Sequence, residues 1–115
     1  MICQIVDVVR DKNNSLCIIM EKYNRSLEDI IKDQKIEALS EKNVLRIFTM
    51  ICIPIYHIHK INIVHRDLKP ANILVKNIGD KEIFTLTDFG TAFNPNSKFI
   101  ITVKEMMTMR YASYE

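Results

Sequence analysis

The chain has 115 residues, 48% apolar and 26% charged, and a formal net charge of +2. A chain of that length supports one domain or part of one and buries about two-thirds of its unfolded surface; the balance is that of a soluble globular protein, with no strong pull toward nucleic acid or a membrane. The longest apolar stretch, Ile47 to Ile58, is broken by Thr49, Pro54 and His57 and is shorter than the ~18 residues a membrane span needs. The N-terminus lacks the basic start of a signal peptide, and Asp7 and Arg10 cut its apolar run short. Cys3, Cys17 and Cys52 are odd in number and scattered, without a CxxC pair, which points to free thiols in a reducing, cytoplasmic compartment.

In chain order, Ile2 to Val9 and Leu16 to Glu21 are rich in β-branched residues and flank the polar cluster "RDKNNS", which is a hairpin signal. Ser26 opens "SLEDIIKD", with Leu27, Ile30 and Ile31 at helical spacing. Ser26 is placed to cap this helix, with Glu28 and Asp29 in the first turn, where the helix dipole favours acids. Ser40 is placed to cap a longer helix running to about Lys60. Its apolar residues occupy most of the circumference, which predicts burial on nearly every side. Pro54 removes a backbone hydrogen bond inside it and predicts a bend over Met50 to Pro54. Ile73 to Val75 and Ile83 to Thr87 read as short strands joined by a turn at Gly79 and Asp80. Residues 91–107 show no clean period and read as a long loop, of the kind that is often functional.

Two of these segments hold an unusual density of chemistry. Between the apolar pair Ile63-Val64 and the triplet Ile73-Leu74-Val75 lies "HRDLKPAN", with Asp67, Lys69 and Asn72 at D-x-K-x-x-N spacing; fifteen residues beyond Asn72 begins "TDFG", Thr87 to Gly90. A lone Asp-Phe-Gly means little, but the two motifs in this order, separated by two short strands, are highly specific. His57 and His59 are two apart on one helix and point to different sides, with no partner spaced to complete a zinc site.

On these motifs the sequence resembles the protein kinase family. "HRDLKPANIL" is similar to the kinase catalytic loop, "DFG" to the start of the activation segment, and "LCIIMEKYNRSLEDII" to the fifth strand, hinge and following helix. "IPIYHIHKINIVHRD" is similar to the helix feeding the catalytic loop, and "TMRYASYE" to the end of the activation segment. The resemblance covers essentially the whole chain. It implies an α+β fold that is part of the two-lobed kinase architecture: N-lobe strands and hinge over 1–23, C-lobe helices over 24–64, catalytic loop and following strand over 65–75, and activation segment over 88–115.

The resemblance also implies roles. Asp67 would orient the attacking hydroxyl and accept its proton, and Lys69 would steady the transferring phosphoryl group. Asn72 and Asp88 would offer oxygens to Mg²⁺, a hard ion that prefers them. Gly90 frees the backbone beside Asp88. His65 would brace the metal-binding loop rather than react. Arg66 would pair with a phosphate on the activation segment, at Thr102 first, ahead of Ser97 and Thr91. On the ATP side, Glu21 to Tyr23 would be the hinge, Met20 the back of the pocket and Leu74 part of its floor. Lys69-Pro70 resembles the Ser/Thr class, and Thr108 agrees, as a hydroxyl that bridges base and lysine in that class. Protein substrates follow, with a partner kinase or scaffold as a further partner.

Three family parts are not in these residues: a Gly-rich phosphate loop, a "VAIK" lysine and the helix carrying its glutamate partner. Their place is before residue 1. Ser113 and Tyr114 stand where the family pattern has Ala and Pro, and the arginine that pairs with the counterpart of Glu115 lies far downstream in the family. The expectation is that the chain alone folds poorly or holds ATP weakly, with apolar surface and an unpaired strand edge exposed. The alternative reading is a catalytically inactive kinase-like chain, acting as a protein-binding module or left by gene decay. A small-molecule kinase is a further alternative, against which Lys69-Pro70 and "TMRYASYE" speak.

Overall fold

The "RDKNNS" cluster makes a turn through its own side chains. Asp11 Oδ1 accepts the amides of Asn13 and Ser15, both at 2.8 Å, and Asn14 takes the left-handed conformation at φ 63° that asparagine tolerates better than most residues. In the computed structural model, which describes residues 1–33, 40–96 and Tyr111, this turn joins β1 (Ile5–Arg10) to β2 (Leu16–Met20) as an antiparallel ribbon with a bulge between Ile5 and Asp7. The expected strand from Ile2 begins later, because residues 1–3 leave the ribbon for another partner. Leu86 donates to the Met1 carbonyl at 2.9 Å and Cys3 donates to the Leu86 carbonyl at 2.8 Å, forming a short parallel bridge of Ile2 to Leu86.

The second sheet has the order β3-β4-β5, with β3 at Arg25–Ser26, β4 at Ile73–Ile78 and β5 at Lys81–Leu86. β4 and β5 are longer than the apolar residues alone indicate. Lys76 and Asn77 continue the ladder opposite Ile83 and Glu82, and a two-residue turn closes it at Gly79, with φ 57°, where glycine carries no steric penalty.

Ser26 caps α1 (Leu27–Asp33) reciprocally with Asp29. The Asp29 amide donates to Ser26 Oγ at 3.2 Å while the Ser26 amide donates to the Asp29 carboxylate at 2.7 Å, an aspartate version of the capping box. These bonds hold the Asp29 carboxyl below its ordinary value. Ser40 caps α2 (Glu41–Lys60), accepting the Asn43 amide at 3.3 Å, and the helix continues through the buried Pro54.

The core lies where α1 and α2 meet one face of the three-stranded sheet: Leu27, Ile30, Ile47, Ile58, Ile73, Val75, Phe84 and Leu86. Glu82 fastens its edge, pairing with Arg25 on β3 at 3.4 Å and Arg46 on α2 at 3.1 Å. α2 departs from the burial expected of a helix apolar nearly all round. Ile47, Pro54 and Ile58 are buried, but Val44, Leu45, Phe48, Ile53 and Tyr56 are exposed. The described elements cover one stripe of this helix only.

Candidate active site

The charged segment His65 to Asn72 sits between α2 and β4, with the side chains of His65, Asp67 and Asn72 turned inward. His65 is 1% exposed, Asp67 7% and Asn72 6%, and buried groups of this kind require partners. Lys69 Nζ donates to Asp67 Oδ2 at 2.6 Å. Asn72 Nδ2 donates to the Asp67 carbonyl at 2.9 Å and to Asp67 Oδ2 at 3.0 Å. Pro70 opens a 3-10 turn, Pro70–Asn72, closed by the Asn72 amide on the Lys69 carbonyl at 2.9 Å. Proline suits that position because its missing amide hydrogen has no partner to lose. The turn places Asn72 inward and delivers the chain into β4.

The TDFG segment is tied to this loop from the other side. The Thr87 amide donates to the Asn72 carbonyl at 3.0 Å, and His65 Nε2 lies 2.9 Å from the Thr87 carbonyl. The Asp67 amide donates to His65 Nδ1 at 3.3 Å, so the neutral ring carries its proton on Nε2 and donates it to Thr87. Phe89 packs on the same ring, with centroids 4.8 Å apart. Asp88 is exposed and left-handed at φ 62°, and its Oδ1 accepts the Gly90 amide at 3.4 Å. A side chain on Gly90 would bring its Cβ within 3.3 Å of that same Oδ1.

Beyond Gly90 the chain turns back. Thr91 Oγ1 donates to the His65 carbonyl at 3.0 Å, Arg66 Nε donates to the Thr91 carbonyl at 2.6 Å, and Val64 and Phe93 exchange two backbone bonds of 2.8 Å. Residues 91–93 are therefore ordered against the catalytic loop rather than part of a structureless run. Thr91 is buried with its hydroxyl engaged, a geometry unlike that of a modification site. Thr102, Ser97 and Thr108 lie outside the described residues.

A cavity of about 450 Å³ separates the β1–β2 ribbon from TDFG, lined by Cys3, Ile5, Ile18 and Met20 on one side and Thr87 to Gly90 on the other. It brings together two of the residues expected on the nucleotide side, Met20 and Asp88. The other three do not line it. Glu21 is exposed and ion-paired with Lys76, Leu74 pairs with Ser26 and Thr85 in the sheet, and Tyr23 is half-buried, its phenol raised above its ordinary value chiefly by burial. Cys3 and Phe93 carried no signal of their own in the sequence, and Thr87 and Thr91 stood there only as part of TDFG and as a candidate phosphate site; long-range pairing places all four.

The donor set suits a hard divalent cation. Asn72 and Asp88 carry side-chain oxygens on adjoining backbone, joined by the Thr87 amide on the Asn72 carbonyl, and no group of three or more His, Cys, Asp or Glu side chains that could hold a metal occurs among the described residues. Mg²⁺ bound through few protein oxygens and completed by phosphate is compatible with this set.

The protein kinase domain model matches residues 1–115. The chain belongs to the protein kinase family. This kinase chain is 43% identical over 86 residues to the serine/threonine-protein kinase nekl-2 of Caenorhabditis elegans, covering 68% of the chain and 24% of that protein. It is 35% identical over 98 residues to the human MAPK/MAK/MRK overlapping kinase, covering 84% and 22%, and 36% identical over 105 residues to MAP kinase-activated protein kinase 2 of Oryctolagus cuniculus, covering 88% and 29%. A similar solved structure is that of the yeast RNA Pol II CTD kinase CTDK-1 complex, with a TM-score of 0.69 and 25% identity over 84% of this chain and 30% of that one. The kinase chain thus spans about a quarter of the length of these curated relatives, and its α+β fold is that of the corresponding part of a protein kinase. No helix among the described residues is long and apolar enough to cross a membrane.

Proposed function

We propose that the protein containing this chain transfers a phosphoryl group from Mg-ATP to a serine or threonine hydroxyl of a protein substrate. The observation that carries this reading is the bonded cluster of Asp67, Lys69 and Asn72, joined through the Asn72 carbonyl and the Thr87 amide to the neighbour of Asp88. A purely structural loop would not need these four side chains together. Asp67 orients the attacking hydroxyl and takes its proton as the γ-phosphoryl passes from the bridging oxygen of ADP to the hydroxyl oxygen. Lys69, already at Asp67, places positive charge where the phosphoryl oxygens pass. Asn72 and Asp88 hold Mg²⁺, which when bound neutralises phosphate charge. Arg66 faces the activation segment through Thr91 and is the group to receive a phosphate there, with Thr102 as the proposed site and Thr108 proposed, from the family resemblance, as the hydroxyl that serves base and lysine. Glu21 and Tyr23 supply hinge backbone to the nucleotide base, with Met20 and Leu74 against it. The free thiols fit a cytoplasmic setting.

The test is peptide phosphorylation by the full-length protein against its Asp67→Asn variant. Loss of a positioned general base lowers kcat by about 10²- to 10⁴-fold, with the fold intact by circular dichroism. Equal rates would sink the proposal. A second reading, a non-catalytic module that binds a partner kinase or scaffold, is favoured by the exposed apolar residues of α2 and the β1–β2 ribbon. It predicts no phosphoryl transfer by the full-length protein.

A further inference from the structure

We infer that Thr91 is a positioning residue that couples the segment after Asp88 to the loop bearing Asp67, an inference that rests on the kinase reading above. Thr91 grips the catalytic loop on both sides of its tightest turn. Its hydroxyl donates to the His65 carbonyl at 3.0 Å, and its own carbonyl accepts Arg66 Nε at 2.6 Å. Between those two contacts the backbone takes a left-handed step at Arg66, φ 65°. For a residue with a Cβ that step is unfavourable and persists only where surrounding contacts hold it. Phe93 completes the grip. Its backbone exchanges two bonds with Val64, and its ring lies 5.1 Å from the Arg66 guanidinium carbon.

What is held is the direction of Asp67. The His65 carbonyl that Thr91 holds and the His65 ring that receives the Asp67 amide at 3.3 Å belong to one residue, buried to 1% exposure. Removing the Thr91 hydroxyl leaves that buried carbonyl without its side-chain donor and frees the turn next to the base. Thr91 lies three residues beyond Asp88, so base and metal-binding carboxylate are registered to each other through it. Valine preserves the shape of threonine and removes the donor; serine keeps the donor and loses a methyl.

The experiment compares Thr91→Val, Thr91→Ser and wild type in the full-length protein, by steady-state kinetics and by amide hydrogen exchange at Val64, Asp67 and Phe93. The expected result is a kcat about tenfold lower in Thr91→Val, since small displacements of a reacting group carry penalties of that order or more. KM for ATP stays within about twofold, and Thr91→Ser restores kcat to near wild type. Exchange at Val64, Asp67 and Phe93 quickens in Thr91→Val without a matching rise at the core amides of β4 and β5. Unchanged exchange at all three amides in Thr91→Val overturns the inference, as does a Thr91→Ser variant as impaired as Thr91→Val, which would assign the effect to packing. If Asp67→Asn also leaves phosphoryl transfer unchanged, the kinase reading fails instead, and the exchange data alone decide whether Thr91 holds the loop.

Discussion

The β1–β2 ribbon and the catalytic loop are built on opposite terms. The strands of the ribbon pair only with each other, along one edge each, and Val6 is 69% exposed, with Ile5, Val8, Leu16 and Ile18 exposed as well. The catalytic loop is the reverse: its polar side chains are buried and each named one has a partner within residues 64–93. Apolar patterning makes a ribbon, and only a neighbouring surface makes it a core. A polar loop needs donors and acceptors at fixed positions, and this chain brings nearly all of its own.

The contrast can be broken in order of expected effect. Phe84→Ala in the core of the three-stranded sheet, at 1% exposure, is expected to destabilise the chain by about 3–5 kcal/mol, whereas Val6→Ala in the ribbon stays within about 0.5 kcal/mol. Urea unfolding of both variants decides this, and comparable losses would mean that the ribbon packs against a surface outside the described residues. Ser40→Ala, which deletes the cap of α2, is expected to lower stability by about 1 kcal/mol in the same assay. The smallest effect is one of pH. The folded Asp29 carboxyl lies below its ordinary value because of Ser26, so its contribution is present above the unfolded carboxylate pKa and fades as pH falls through the lowered folded value. Ser26→Ala should flatten that part of the stability profile in acid titrations, and an unaltered profile would remove the capping box as its source.

The parts legible in the sequence share one property: their signal is local. Ser26 and Ser40 sit next to the helices they cap, Asp11 and Asn14 make their own turn, and Asp67, Lys69 and Asn72 stand within six residues of one another. The parts that escaped depend on distance along the chain. β3 is two residues, Arg25–Ser26, recognisable as strand only through Val75 and Leu74 opposite. Phe93 carries no pattern until Val64 is beside it. The apolar circumference of α2 was read correctly as composition, but burial depends on neighbours that the sequence of the helix does not contain. Of the residues expected on the nucleotide side, Met20 and Asp88 share a cavity that Glu21, Tyr23 and Leu74 do not line, a grouping that comes from tertiary placement and not from local pattern.

The parallel bridge between residues 1–3 and Leu86 has a mechanical consequence. The ribbon is a lever whose anchored end is bonded to Leu86, two residues before Asp88, while its free end at Asn13 and Asn14 lies a full strand away. A load on the ribbon, from a partner or from the rest of the polypeptide, is therefore delivered to the strand that leads into Asp88.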